Sequence, residues 1–479
     1  MTGTDLTWAT AAGIAAEVRA GRITAFEVTG RILDRIARMD PAINAFTDIT
    51  ASAALTEAEA VDAAIAAGRD PGPLAGVPFA VKNLFDVAGL PTRAGSKINR
   101  DRPPATEDAV LIRRMRAAGA VLVGALNMGE YAYDFTGENA HDGACLNPHD
   151  TSRMSGGSSS GCGAATAAGL APISLGSDTN GSLRVPASMC GVFSLKPTYG
   201  RLPRTGTFSF VDSLDHLGPF ARAPRDLALA YDAMQGHDAG DHACARRPPE
   251  PAVPGLDRDT GPLRVGLPGG WFARFGGDGT EAADHVARGL RRMGATLSRV
   301  DLDAAEAGRA AAYLVTNSES AAFHLDRLRS WAEDFDPDTR DRFLAGALLP
   351  AAWVARAQRV RAWWLDRALE AFDAVDLLIV PATPVSAPPV GQKELTLDGT
   401  PHPLRPTIGL LSQPFSCIGL PVVTVPVFEA GAMPIGVQIV ARPWAEALAL
   451  RVAEALARDG VVGARPPQIV EPQRAARAV

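Results

Sequence analysis

Lysine is scarce in this 479-residue chain: of 47 basic side chains only Lys82, Lys97, Lys196 and Lys393 are lysines. A GC-rich coding bias accounts for the general pattern. It also makes each remaining lysine worth a question, because arginine stays charged whereas a buried lysine can lose its proton and act as a base. Cysteine is thin too. Cys145, Cys162, Cys190, Cys244 and Cys417 are odd in number and widely spaced. With no CxxC and no Cys/His cluster, neither a zinc site nor a disulfide framework is expected. The thiols read as small hydrophobes, and a reducing cytoplasm is the expected compartment. Aromatics are 6% of the residues, which argues against a channel for a long acyl chain. No 18-residue run is free of charge and turn residues, so no membrane span is expected. The first 21 residues lack a basic start and a long apolar stretch, and read as a helix of the mature protein. A net charge of −6 without a basic tail argues against direct nucleic-acid binding.

What is present is a large apolar complement, 47% of residues, enough for a sizeable core. Length alone allows about three domains or one large α/β domain. Residues 24–39 predict a helix: Thr24 and Glu27 form a capping-box pattern, Val28, Ile32, Leu33 and Ile36 share a face, and Asp40-Pro41 ends it. Residues 51–68 read as a second helix. GVPFAV (76–81), DAVLIRRMRAAG (108–119) and AVLVGAL (120–126) then alternate as strand, helix, strand, which predicts a largely parallel sheet hereabouts. The Gly/Ser/Ala-rich stretch 155–200 holds a tightly packed helix (161–171) and a strand (172–178). Residues 237–262 read as a linker or surface excursion. Strands at 263–269 and 376–384 follow, with helices between them to about 372. Residues 421–427 and 433–441 predict a closing strand pair, and the chain from Pro466 reads as loose.

Three segments carry polar groups that could do chemistry. In GGSSSG, Gly156 to Gly161, a phosphate-binding loop is disfavoured because Cys162 stands where a lysine would be needed. A nucleophile elbow with Ser159 at its apex matches formally, since His216, His285, His324 and His402 follow. A flexible or helix-capping loop is the plainer alternative. In GSDTNGSLRVPA, Gly176 to Ala187, Gly181 beside Ser182 offers a sharp turn with exposed N–H groups that can hold an oxyanion; a polar loop is the bland reading. Lys82 ends an apolar strand, where desolvation would bring its pKa toward about 7–8. The alternatives there are an amine that snorkels to water or pairs with Asp86. Lys196 is the rival lysine, in a similar setting.

Taken together these segments resemble the amidase signature family. The matching patterns are G-V-P-x-x-V-K-N, N-P-x-x-x-x-R-x-x-G-G-S-S and G-S-D-T-x-G-S-x-R-x-P-A, and the likeness continues through GVFSLKPTYGRL (191–202), HLGPFAR (216–222), DLLIVPATP and MPIGVQIVARPWAEALALRVAEAL (433–456). It spans nearly the whole chain. Within the family the carboxybiuret hydrolase branch is most similar, on AVKNLFDVAGLPTRAGSKINR (80–100), NMGEYAYDFTGENAHDG (127–143), LPGGWF (267–272), LLSQPFSCIGLPVV (410–423) and Asn180 where most of the family has glycine.

The resemblance implies an α/β amidase signature fold, a central mixed sheet with helices on both faces. It implies one amidase domain over 1–479: a helical region 1–70, a core 71–236 with the Lys/Ser/Ser segments, the excursion 237–262, a part 263–465 completing sheet and pocket, and the tail 466–479. It implies amide or urea C–N hydrolysis with ammonia release, with Ser182 as nucleophile, Ser158 after a cis peptide bond as bridge and Lys82 as neutral base. The backbone N–H groups of Thr179, Asn180, Gly181 and Ser182 would form the oxyanion hole. Ser159 would help cap the following helix, and Asp178 and Arg184 would brace the nucleophile loop. Tyr131, Tyr133 and Gln413 are candidates to line the pocket. No metal or organic cofactor is implied. The implied substrate is carboxybiuret or a similar small ureido carboxylate. The implied partner is a small helical subunit like that of aminoacyl-tRNA amidotransferases, in a dimer of heterodimers. The family itself offers another role, the ammonia-donating subunit of a tRNA-dependent amidotransferase. A catalytically silent scaffold and a Ser-His-Asp hydrolase are further readings; the latter lacks a histidine in all three segments. The chain departs from the family at Ser160 and Cys162, where glycine and serine are usual, and Ser160 would be strained at positive φ.

Overall fold

The computed structural model describes Leu6 and residues 8–468; most of the expected loose tail, 469–479, lies outside the described residues. Eleven strands form one sheet: β1 (Phe46–Ile49), β2 (Pro78–Lys82), β3 (Val121–Leu126), β4 (Ile173–Asp178), β5 (Phe193–Lys196), β6 (His216–Ala221), β7 (Arg264–Pro268), β8 (Thr296–Val300), β9 (Leu377–Pro381), β10 (Val422–Val427) and β11 (Ile435–Ala441). Their spatial order is β1-β3-β2-β4-β6-β5-β10-β11-β9-β7-β8. The eight inner strands are buried at every position, whereas β1, β7 and β8 at the margins carry exposed residues. Because successive side chains point to opposite faces, continuous burial means that both faces are covered, here by helices.

The sheet is mixed, not largely parallel. Only β2/β3, β2/β4, β7/β9 and β7/β8 run parallel; the other six pairings are antiparallel. The alternating strand-helix-strand pattern described its own stretch correctly, since β2, the helix Val110–Ala117 and β3 form a parallel unit. The mid-sheet run β4-β6-β5-β10-β11-β9 pairs antiparallel throughout, a relation that local alternation does not encode. The pair β10/β11 closes no edge but sits mid-sheet, between β5 and β9.

The first long helix carries its capping box: Thr24 Oγ1 accepts from Glu27 N at 3.0 Å, and Glu27 Oε2 accepts from Thr24 N at 3.2 Å. It runs on to Ile43 through Pro41 and does not stop at Asp40. The end is closed by Asn44, left-handed at φ 54°, and by the Asp40 carboxylate, which accepts from Ala45 N at 2.8 Å and Phe46 N at 3.1 Å. Residues 237–262 lie on the surface but are tied down. Arg204 grips Asp241 at 2.8 Å, Arg201 reaches Glu250 at 2.9 Å, and Ala252 and Leu256 are buried.

The topology brings three loops together. Strands β2 and β4 are parallel neighbours, so Lys82 and Asp178, each the last residue of its strand, end at one edge of the sheet. The segment that leads into the helix Ser160–Ala167 arrives at the same place, because that helix packs on β2, β3 and β4. Sites in α/β sheets lie at such carboxyl ends.

Candidate functional site

Lys82 is wholly buried, and its Nζ donates to Ser158 Oγ at 2.8 Å and to Ser177 Oγ at 2.9 Å. Burial lowers its ammonium to about 8, although the neighbouring Cys162, Asp215, Asp178 and Asp134 pull the other way. Ser158 is also buried, and its peptide bond to Gly157 is cis. Gly157 has no room for a side chain: a Cβ would stand 2.5 Å from Asp134 Oδ2. Lys196 is equally buried and pushed down to about 7 by desolvation, with Arg184 adding to the shift. Its amine donates to Pro197 O at 3.1 Å and meets no serine hydroxyl among the described residues.

Ser182 sits in the loop after β4 and lines a narrow cleft, with a free volume of only about 20 Å³, together with Thr179, Asn180, Tyr133, Gln413 and Arg342. The loop is pinned from behind. Ser412 Oγ donates to Asn180 O at 2.8 Å, Thr179 Oγ1 to Asp215 Oδ1 at 2.6 Å, and Leu183 N to Asp178 Oδ2 at 3.1 Å. Gly181 adopts φ 143°, and a Cβ there would lie 2.1 Å from Ser412 Oγ. The backbone N–H groups of Thr179, Asn180, Gly181 and Ser182 find no acceptor among the described residues. Four free donors beside a hydroxyl can hold a developing oxyanion.

Asp178 and Arg184 form a fully buried pair, Arg184 Nε to Asp178 Oδ2 at 2.9 Å and Nη2 to Oδ1 at 3.0 Å. Burial opposes ionisation of Asp178, but the Arg184 guanidinium outweighs it and holds the carboxyl well below the usual range. Arg184 also donates to Ser412 O at 2.8 Å, Gln438 Oε1 at 2.7 Å and Ser416 Oγ. It is spent on the protein. Ser159 holds the N-cap position of its helix without a side-chain capping bond; its hydroxyl donates instead to Ser177 O at 3.1 Å, joining the two loops. Ser160 is not among the residues at positive φ, so the expected strain is absent, and its hydroxyl donates to Asn127 O at 3.2 Å. Cys162 fills its space next to β4, with Sγ 3.4 Å from Leu175 O.

Of the expected pocket residues, Tyr133 and Gln413 line the cleft and Tyr131 does not. Tyr131 is buried in an aromatic cluster, 4.1 Å from the His324 ring and 5.3 Å from Phe208. Among the described residues no histidine is hydrogen-bonded to these serines: His216 Nδ1 is bonded to the main-chain oxygens of Leu214 and Asp178. Several contributors carried no local signal. Ser177, Asp215 and Ser412 look ordinary in sequence. Arg342 was one arginine among 43, and lines the cleft with its guanidinium 3.4 Å from the Tyr133 ring centroid and Nη1 2.7 Å from Tyr133 O.

A buried amine on one serine hydroxyl, together with a second serine in an N–H-lined loop, offers the groups that acyl transfer needs. The amidase family model matches residues 27–450, and the chain belongs to that family; it is an amidase-family hydrolase. It is 52% identical over 446 residues to AtzE, the 1-carboxybiuret hydrolase subunit of Pseudomonas sp. (strain ADP), covering 93% of this chain and 97% of that one. A glutamyl-tRNA(Gln) amidotransferase subunit of Chloroflexus aggregans is more distant, at 36% over 481 residues, 95% of this chain and 97% of the relative. Among solved structures, one described as a vestigial protein complex revealing the evolutionary origins of an s-triazine catabolic enzyme superposes with TM-score 0.93 and 50% identity, over 95% of this chain and 100% of that one. A 6-aminohexanoate cyclic dimer hydrolase superposes at TM-score 0.84 and 29% identity, over 97% and 100% of the chains.

Proposed function

We propose that this chain hydrolyses a C–N bond of carboxybiuret or a closely similar ureido carboxylate and releases ammonia through an acyl-enzyme on Ser182. The observation that carries the reading is the 2.8 Å contact of the buried Lys82 amine with Ser158. Ser182 Oγ attacks the carbonyl carbon as its proton passes through Ser158 to neutral Lys82. The N–H groups of Thr179, Asn180, Gly181 and Ser182 hold the oxyanion. Lys82 returns the proton through Ser158 to the leaving nitrogen, which departs as ammonia. Water then attacks the acyl carbon, gives its proton to the same relay, and frees Ser182. Asp178, Arg184 and Ser159 brace the two loops through the contacts described.

Arg342 is the cation among the described residues lining the cleft, and it supports an anionic substrate. Arg309 is taken up by Gln413 Oε1 at 2.9 Å and Pro406 O at 3.0 Å. The 52% identity to a carboxybiuret hydrolase subunit points the same way. That relative is named as a subunit and the solved neighbour is described as a complex, which supports a dimer of heterodimers with a small helical partner subunit. One sheet built from residues 46 to 441 supports a single amidase domain. Five unpaired, buried cysteines support a cytoplasmic setting.

The test is ammonia release from carboxybiuret, biuret, allophanate, oxalurate, malonamate, glutamine and an aryl amide, by wild type and Ser182→Ala, with and without a neighbouring small subunit. Turnover of carboxybiuret that is lost in Ser182→Ala is expected. In Arg342→Gln the KM for the carboxylate substrate rises while kcat for a neutral amide holds. Preference for glutamine would overturn the substrate reading in favour of an amidotransferase role.

A further inference from the structure

A second cavity, about 690 Å³ and open to solvent, lies beside the catalytic cleft. The loop 207–211 separates the two: Phe208 faces this bowl and Phe210 faces the cleft. Two guanidinium groups approach the Phe208 ring, Arg327 at 5.3 Å and Arg102 at 6.0 Å from its centroid. Tyr131 already stacks on Phe208 at 5.3 Å, which leaves the arginines the side of the ring toward the bowl. Phe323 completes the wall, its ring edge-on to Phe208 at 5.5 Å and its own face 5.5 Å from Arg327.

The charge here is unevenly spent. Among the described residues Arg102 and Arg327 make ring contacts but no ion pair and no side-chain hydrogen bond. Of the three acids that line the bowl, only Asp108 has a close cationic partner among the described residues. Asp108 is held by Arg116 and by Ala88 N at 2.9 Å, Asp86 accepts from Thr92 Oγ1, and Glu107 sits 3.7 Å from Arg113. Two planar cations seated on an aromatic wall match a flat conjugated anion, whose oxygens the N–H edges of one guanidinium can take while its plane stacks on the other.

We propose that this bowl is a second binding site for small planar carboxylates, separate from the catalytic cleft and independent of the reaction assigned above. The full chain is titrated with benzoate, and with cyclohexanecarboxylate as a non-planar match of equal charge, by saturation-transfer NMR. Benzoate binds wild type, and cyclohexanecarboxylate binds several-fold more weakly. The Arg102→Gln/Arg327→Gln double variant weakens benzoate about tenfold. Arg102→Glu alone, at an exposed position, gives a loss in the same direction. Phe208→Leu removes the preference for the flat ligand. Ser182→Ala and Arg342→Gln leave benzoate binding unchanged, and the double variant keeps its kcat and its melting temperature. Loss of benzoate in Arg342→Gln would place it in the cleft and overturn the proposal. No binding to wild type, binding unaffected by the double variant, or equal affinity for cyclohexanecarboxylate would do the same.

Discussion

The protonation state of Lys82 sets a measurable pH dependence. In the proposed mechanism Lys82 is the base and must be neutral before Ser182 can lose its proton, and burial places its pKa at about 8. With that value about 9% of the enzyme is competent at pH 7 and about 90% at pH 9, so kcat/KM rises about tenfold between them and then levels. Replacing the lysine with an always-charged arginine removes the base, a loss of about 10²- to 10⁴-fold. The same shift acts on stability. In the unfolded chain Lys82 takes its ordinary value of 10.5. Between the two values the unfolded chain binds more protons, so stability rises with pH through that window and is depressed below it. The full effect is about 3 kcal/mol. Wild type is therefore expected to gain stability from pH 7.5 to 10.5 relative to Lys82→Met, which has no such proton to lose; comparing the two cancels the contribution of Lys196. Ammonia release at low substrate, followed from pH 6 to 10, reads the first effect, and urea unfolding at matched pH reads the second. A flat kcat/KM profile, a rising limb centred below pH 6, or an active Lys82→Arg would refute the reasoning.

Three other perturbations test the geometry. Gly181→Ala places a methyl group 2.1 Å from Ser412 Oγ at a φ of 143°; it should cost about 2–4 kcal/mol and remove turnover, read by thermal unfolding and ammonia release. Asp178→Asn leaves the buried Arg184 without its counter-charge and should destabilise by about 3–5 kcal/mol, visible as a lowered unfolding midpoint in urea. Under the proposed relay, Ser158→Ala removes the step between Ser182 and Lys82; kcat should fall by about 10²-fold or more while circular dichroism stays native.

Much of this site was legible because short-range rules wrote it. Lys82 stood out as a rare lysine closing an apolar run, Ser182 followed a strand and a glycine, and Thr24 and Glu27 announced a helix start that the capping box carries. Each of those features is decided within a few residues. Even so, local reading left three alternatives open at GGSSSG, and the family resemblance did the work of joining Lys82, Ser158 and Ser182 into one site.

The amino-acid order determined which segments are strands and helices, which loops must carry glycine, and which residue types bring chemistry. Tertiary structure alone decided how those pieces meet. Lys82 and Ser158 are 76 residues apart and touch because β2 and β4 pair in parallel under one helix. Arg184 is consumed by partners more than 220 positions away, Ser412 and Gln438, so it is unavailable to substrate. Arg342 gains its place at the cleft from a helix that packs across the loop of Tyr133. Strand direction followed the same division, because hydrogen-bond pairing between distant strands is settled by the sheet as a whole and leaves no local periodicity to read.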